Sequence, residues 1–323
     1  MGNEARKLWT PVLALTFLAG LACLSVVFFM TVGVKGNWGF ILPFRGMKVA
    51  TMALVGYAIA VSTVLFHTIT GNRILTPSIM GFDALFILIQ TSIAFFFGAT
   101  FLTGLPPSGL FLIQTAAMTL FAGLLFSWLF RDGVRELHLM LLSGIIFGLL
   151  FRSLSSFFRR IIDPDEFLIL QDTLFASFNR ANPELLSVAA ILVLLVSFAA
   201  WRLRNVFDVM ALGRETSINL GVNHRLMVTV TLALVTVLVS VSTALVGPVT
   251  FFGLLVANLA YMLVPSHRHI LVLPGAAFLA ITCLVGGQLF LERVLSYDSA
   301  LSIVIEFAGG IVFIAMIVMR GTR

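Results

Sequence analysis

The chain has 323 residues, of which 60% are apolar and only 11% are charged. Soluble domains carry about 25% charged residues, so this composition excludes a water-soluble globular protein. The mean hydropathy of +1.09 indicates a chain that lies mostly in lipid. The net charge of +6 is explained by loops that meet anionic lipid. The two cysteines, Cys23 and Cys283, each fall within an apolar run and provide neither a disulfide framework nor a metal cluster.

Long apolar runs without alternation predict membrane-spanning helices, because backbone groups in hydrocarbon must hydrogen-bond within their own segment. A span needs about 20 apolar residues. The sequence therefore predicts an all-α, polytopic integral membrane protein, with about ten transmembrane helices in one domain over residues 1–323. The predicted spans are 8–31, 49–66, 84–102, 110–130, 137–151, 185–201, 227–246, 251–264, 270–291 and 300–319.

The orientation of these spans follows from charge. Arg6 and Lys7 precede the first run as in a signal peptide, but the run is about twice as long as a usual signal core and has no clean cleavage site. We interpret it as a retained first helix. Ten spans place both termini on one side, and the larger share of the Lys and Arg residues falls in loops on that side, which predicts cytoplasmic termini. Arg45 and Lys48 then fall in a loop on the outer side.

A polar segment, RLRNVFDVMALGRETSINLGVNHR, covers residues 202–225 between the sixth and seventh spans. Glycine ends helices because it adopts the left-handed conformation, so Gly213 and Gly221 divide the segment into two short helices. We expect both helices on the cytoplasmic face of the membrane, with a polar surface suited to a soluble partner. An ordinary amphipathic connector is the alternative on composition alone.

Three blocks of sequence occur in the order of a known family. They are PFRGMKVATMALVGYAIAVSTVLFHTITGNRILTPSIMG from Pro43, ALGRETSINLGVNHR from Ala211, and STALVGPVTFFGLLVANLAYMLVPSHRH from Ser242. They resemble, respectively, the basic entry to the second helix, the cytoplasmic coupling motif and the eighth helix of the permeases that import iron siderophores, haem and cobalamin in ABC transporters. The resemblance extends over nearly the whole chain.

The resemblance implies a dimeric membrane core in a bacterial inner membrane, driven by a cytoplasmic ABC ATPase dimer and supplied by a periplasmic or lipid-anchored binding protein. ATP and Mg²⁺ would bind the ATPase, because this chain has no GxxxxGK[ST] loop and no catalytic constellation, and it should bind neither a cofactor nor nucleic acid. By resemblance, the ATPase-coupling residues are Met210, Ala211, Leu212, Gly213, Arg214, Glu215, Ser217, Leu220 and Gly221. The binding protein would dock at Arg45, Lys48 and Arg293.

The chain also departs from the family pattern. The departures are His67, residues 73–76, Ala257, Asn258, Tyr261, Ala300 and Ser302, and Lys48 replaces the usual arginine. Such drift is typical of one of two different permease subunits that pair with each other. We therefore expect a heterodimer, with a homodimer as the alternative.

Three residues within the spans are candidates for the translocation path. Glu306 lies in the last span, where a carboxylate usually faces protein or a water-filled path, and pairing with Arg152 or Arg159 is the alternative. Gly144 and Gly148 form a GxxxG pair that permits close helix approach, and the resemblance places their helix beside the path. His267 and His269 lack a nearby Cys, Asp or Glu, so we expect no metal site there.

The leading hypothesis is a permease subunit that translocates an iron siderophore into the cytoplasm. Haem and cobalamin are the alternatives within the same family, and no residue distinguishes them. An ion-coupled secondary transporter is the alternative outside it, but such a protein requires intramembrane carboxylates or broken helices near the midplane, and Glu306 alone does not meet that requirement.

Overall fold

A computed structural model describes residues 10–34, 37–130, 137–174, 176–178, 182–294 and 301–321. Within these ranges all regular secondary structure is helical, and a short 3-10 turn, Pro77–Met80, precedes the third helix. The α-helices are α1 Pro11–Thr31, α2 Trp38–Thr70, α3 Phe82–Phe97, α4 Ala99–Gly104, α5 Pro107–Phe130, α6 Leu137–Ile161, α7 Pro164–Leu174, α8 Pro183–Arg202, α9 Arg204–Met210, α10 Arg214–Asn219, α11 His224–Val246, α12 Phe252–Leu263, α13 His269–Arg293 and α14 Leu301–Gly321.

Seven of these helices are long and apolar enough to cross a membrane, namely α1, α2, α5, α6, α8, α11 and α13. Three shorter apolar helices are α3, α12 and the stretch Ile303–Val312 of α14. Each predicted span overlaps one of these ten helices, which confirms the all-α polytopic membrane fold. The number of complete crossings stays a prediction, because the three shorter helices fall below the usual length of a span. The predicted first residues of the first and last spans, Leu8 and Ala300, lie outside the described residues.

The predicted start of the second span is wrong. The second helix begins at Trp38 rather than at residue 49, because the Asn37 side chain caps it by accepting a hydrogen bond from Gly39 N at 2.9 Å. Arg45 and Lys48 therefore lie within α2 and not in a loop. The fifth span, predicted as 137–151, was expected to continue past Arg152, and α6 does continue to Ile161, since its polar residues interrupt the apolar run without breaking the helix.

The centre of the bundle consists of α2, α11 and α13, whose side chains are largely buried. The helices α1, α5, α6 and α8 lie around them and turn most of their apolar side chains outward, as expected for contact with lipid. The two longest central helices, α2 and α13, pack closely, and a Cβ on Gly56 would lie 3.3 Å from the Cβ of Ala280. Both helices are long enough to place their ends on opposite sides of the bundle.

The GxxxG pair of α6 permits a close contact, as predicted, but its partner is the 3-10 turn rather than a long helix. A Cβ on Gly144 would lie 2.9 Å from Met80 Cα, and a Cβ on Gly81 would lie 3.1 Å from Gly148 Cα. Gly81 also has a φ of 89°, which a side chain would strain. The pair thus fixes the turn that leads into α3, and its role beside the path stays a prediction.

Candidate coupling surface and the opposite end of the bundle

The helix α9 is anchored to the bundle by buried side chains and by hydrogen bonds between Asp208 and His269. Phe207 and Met210 are buried against the core. Asp208 Oδ1 accepts a hydrogen bond from His269 N at 2.7 Å and lies 2.6 Å from His269 Nδ1. The other ring nitrogen of His269 lies 2.7 Å from Thr68 Oγ1. Asp208 and His269 therefore attach α9 to the first turn of α13 and to the last turn of α2.

The helix α10 follows a glycine break, as the sequence predicted. Gly213 has a φ of 98° and Gly221 a φ of 84°, and both conformations are strained for residues with a side chain. Ser217 is fully buried, and its hydroxyl donates to Arg214 O at 2.8 Å and lies 3.0 Å from His224 Nδ1. These contacts hold α10 against the start of α11.

The outward side of this segment carries three exposed large apolar side chains. Leu212 is 61% exposed, Leu220 is 60% exposed and Ile218 is 49% exposed. We name the exposed set the coupling surface, and it consists of Ala211, Leu212, Gly213, Arg214, Glu215, Thr216, Ile218, Asn219, Leu220 and Gly221. Of the predicted coupling residues, Met210 and Ser217 are not on this surface, because their side chains point into the protein. Ile218 was missed, although its place between the two glycines could have indicated it.

A cleft of about 460 Å³ separates the coupling surface from α2, α12 and α13. Three departures from the family pattern, His67, Arg73 and Tyr261, lie on its wall, and a fourth, Asn258, contacts Arg73. The Arg73 guanidinium carbon lies 4.3 Å from the centroid of the Tyr261 ring, which is 5.9 Å from that of His67. Asn258 Nδ2 donates to Arg73 O at 3.0 Å. These substitutions are therefore one local packing arrangement and not scattered changes.

At the opposite end of α2 and α13, two predicted docking arginines bind the end of α1. Arg45 Nη1 donates to the carbonyl oxygens of Phe29 at 2.7 Å, Met30 at 3.3 Å and Val32 at 3.0 Å. Arg293 Nη2 donates to the same Val32 oxygen at 2.8 Å. A guanidinium at this place satisfies the last carbonyls of α1 and the negative end of its dipole. The structure shows these two arginines at the end of α1, and their role in docking the binding protein stays a prediction.

Lys48 was predicted to lie in a loop open to a partner, and the structure instead buries it. The residue is 6% exposed, and its Nζ lies 3.4 Å from Glu292 Oε1. The same oxygen accepts a hydrogen bond from Gln288 Nε2 at 3.0 Å. The predicted loop is wrong, because Lys48 lies within α2, which turns its side chain towards α13, and docking by Lys48 stays a prediction.

The candidate path residue Glu306 is half-buried on α14. Glu306 and Arg152 both interact electrostatically with Asp83, a buried carboxylate in the first turn of α3. Sequence reasoning did not identify Asp83, although a carboxylate directly before an apolar run is a usable signal. No group of three or more His, Cys, Asp or Glu side chains within the described ranges could hold a metal ion.

These features belong to a fold that is shared with solved ABC transporter structures. The fold matches a solved inward-facing structure of a metal-chelate type ABC transporter with a TM-score of 0.83, over 95% of this chain and 99% of that one, at 23% identity. It also matches PsaBC from Streptococcus pneumoniae in complex with Fab, with a TM-score of 0.59, over 84% of this chain and 90% of that one, at 15% identity. These identities show the fold alone.

The sequence comparisons identify the family. The model of the FecCD transport family matches residues 12–320, and the chain therefore belongs to that family. The petrobactin import system permease protein YclO of Bacillus subtilis (strain 168) is 46% identical over 94% of this chain and 96% of its own length. The petrobactin import system permease protein FatC of Bacillus anthracis is 34% identical over 98% of this chain and 90% of its own length.

Proposed function

We propose that this chain is the membrane-spanning permease subunit of an ABC importer that carries an iron siderophore into the cytoplasm, with ATP hydrolysed by a separate subunit. The observation that carries the proposal is the coupling surface. Its anchors are buried and paired, and its apolar side chains face outward, which is the arrangement expected of a segment that receives force from a docked ATPase. Membership of the FecCD transport family supports the same assignment.

Within this function we propose petrobactin as the cargo. Two relatives that match almost the full chain, at 46% and 34% identity, are permeases of petrobactin import systems. Haem and cobalamin are the weaker alternatives, because neither of these two relatives is named for them. An ion-coupled secondary transporter is not favoured, because the fold is shared with ABC transporter permeases.

The proposal includes partners on three sides. A cytoplasmic ABC ATPase dimer, which binds ATP and Mg²⁺, would dock on the coupling surface. A substrate-binding protein, periplasmic or lipid-anchored, would dock at the end that carries Arg45 and Arg293. Both termini would then lie in the cytoplasm of a bacterial cell, with the chain in the inner (plasma) membrane as one domain. The chain itself would bind no cofactor and catalyse no reaction.

The third partner is a second permease subunit, which we expect to be a different chain. The outward faces of α6 and α14 carry large apolar side chains that no other described element covers, including Ile146 at 57% and Phe307 at 72% exposure. The family resemblance places these two helices at the dimer axis, so a partner subunit would bury both faces. A heterodimer is consistent with the departures that cluster around Arg73.

The ATPase-coupling role is tested by Leu212→Asp in the transporter reconstituted with its ATPase subunits. Leu212 is exposed, so we expect the melting temperature of the permease to stay unchanged while ATP-driven uptake falls at least about tenfold, the effect of about 1.4 kcal/mol at a contact. Leu212→Ile, which keeps an apolar side chain of the same size at the same position, is the matched control and should retain uptake. Equal uptake by wild type and Leu212→Asp would refute the coupling role.

The cargo is tested by radioiron uptake in cells that lack other siderophore permeases and carry this chain with its partner subunits. We expect uptake of ferric petrobactin that an excess of unlabelled ferric petrobactin suppresses and that haem and cobalamin leave unchanged. Suppression by haem or cobalamin would indicate that compound as the cargo instead of petrobactin. Uptake that persists without the ATPase would indicate an ion-coupled secondary transporter.

A further inference from the structure

A small polar cavity lies inside the helix bundle where two non-helical segments meet. One segment is the stretch that leads through the 3-10 turn into α3, and the other is the connection between α11 and α12. The cavity has a volume of about 20 Å³, and side chains of α2 and α11 complete its wall. This volume is sufficient for one species of the size of a water molecule.

The wall of the cavity offers oxygen lone pairs to an occupant. The hydroxyls of Ser62 and Thr63 both donate to Ile59 O, at 3.0 Å and 2.7 Å, and that of Ser242 donates to Val239 O at 3.0 Å. A hydroxyl has one proton, so each of these three groups has only acceptor capacity left. A wall of acceptors favours an occupant that carries positive charge.

Asp83 supplies the one carboxylate that lines this cavity, and it is 5% exposed. Ser78 and Thr250, which belong to the two non-helical segments, line the cavity beside it. Its Oδ2 has no hydrogen-bond partner within the described part of the chain. An unsatisfied buried carboxylate oxygen is unfavourable, so Asp83 Oδ2 needs a partner that the described protein groups do not supply.

No lysine, arginine or histidine belongs to the described residues that line the cavity. Arg152 of α6 attracts the Asp83 carboxylate and Glu306 of α14 repels it, but Arg152 is exposed and Glu306 is half-buried. An ionised carboxylate that is buried without a cation beside it is strongly unfavourable. One unit of positive charge in the cavity would neutralise Asp83.

We propose that this cavity binds a single monovalent cation of the size of Na⁺, held by Asp83 and the surrounding hydroxyl oxygens. Irregular backbone inside a helix bundle is a known environment for Na⁺ in transporters. A divalent ion is disfavoured, because Asp83 is the one carboxylate in the described wall, whereas Ca²⁺ sites use several charged ligands, and because Mg²⁺ keeps several bound waters for which about 20 Å³ has no room. The ion would bridge the segment that leads into α3 and the connection between α11 and α12. Such a site goes beyond the proposed function, because binding of the ion does not depend on the cargo.

The test uses the purified full-length permease in lipid nanodiscs at fixed pH and ionic strength. We expect saturable binding of radiolabelled Na⁺ at about one ion per chain, and a higher melting temperature in NaCl than in choline chloride. Asp83→Asn should weaken Na⁺ binding at least about tenfold, because it removes a charged ligand from a buried site. Asp165→Asn, an exposed carboxylate on α7, is the matched control and should leave binding unchanged.

Ser242→Ala keeps the test valid if Asp83→Asn does not fold, because it removes one oxygen ligand with little change in shape. We expect it to weaken Na⁺ binding about threefold without lowering the melting temperature in choline chloride. Equal melting temperatures in both salts with no bound Na⁺ would mean that the cavity holds only water. A melting temperature that depends on pH but not on Na⁺ would mean that a proton, and not Na⁺, neutralises Asp83. Either result, or unchanged affinity in both variants, would overturn the proposal.

Discussion

The two ends of the bundle use their polar and apolar residues in opposite ways. At one end, Arg45, Lys48 and Arg293 direct their charged groups at helix ends and at Glu292. At the other end, Asp208 and Ser217 are paired, and large apolar side chains such as Leu212 are exposed. Charge in a membrane protein is therefore a poor guide to a docking surface, because the interior needs charged groups to fix its helices. Exposed apolar groups on an anchored polar segment are the better guide.

The largest expected effect is that of Lys48→Ala. Removing the lysine leaves Glu292 as an uncompensated buried charge, and we expect the free energy of unfolding to fall by about 3 kcal/mol. Thermal unfolding of the purified permease in detergent would measure it. Replacing both residues by apolar ones, as in Lys48→Met with Glu292→Leu, should restore much of the stability. Wild-type stability of Lys48→Ala alone would mean that the pair is not buried.

An intermediate effect is expected for Asp208→Ala. The substitution removes the acceptor for His269 N and detaches α9 from α13, so stability should fall by about 1 kcal/mol. ATP hydrolysis should continue while uptake decreases, since the coupling surface loses its attachment to the bundle. Asn205→Ala, an exposed polar position on the same helix, is the control. A proportional loss of hydrolysis and uptake would argue against a role of Asp208 in coupling.

The smallest effect is expected for Arg293→Gln. Arg45 still donates to Val32 O in this variant, so stability should fall by only about 0.5 kcal/mol. If Arg293 also contacts the binding protein, the affinity of the complex should fall more at low salt than at high salt. Titration of the binding protein at two salt concentrations measures this, with the exposed Arg160→Gln as the control. Affinity that is equal to that of wild type at both salt concentrations would leave helix capping as the function of Arg293.

Local patterns in the sequence predicted the helices well, because apolar runs and glycine breaks act over a few residues. The two short helices around Gly213 were found in this way, and so was the close contact of Gly144 and Gly148. The start of α2 was missed because the apolar run does not show the cap at Asn37. A helix can begin well before the part of it that lies in lipid.

The orientation of side chains could not be predicted, because it depends on partners that are distant in the sequence. Lys48 pairs with a residue 244 positions away, and Asp208 with one 61 positions away. Nothing near Met210 or Ser217 in the sequence shows that they face the bundle rather than a partner. Asp83 was missed for the same reason, since its neighbours Arg152 and Glu306 come from two other helices.

The helices α2 and α13 are connected at both ends, by Thr68 with His269 near the coupling surface and by Lys48 with Glu292 at the far end. The distance between these connections is about 30 Å along α2 and about 35 Å along α13, at a rise of about 1.5 Å per residue. Two antiparallel helices fixed to each other at both ends cannot slide or separate independently. The pair should therefore tilt as one rigid body when α9 moves, and a chemical cross-link between its two helices should leave the transport cycle intact.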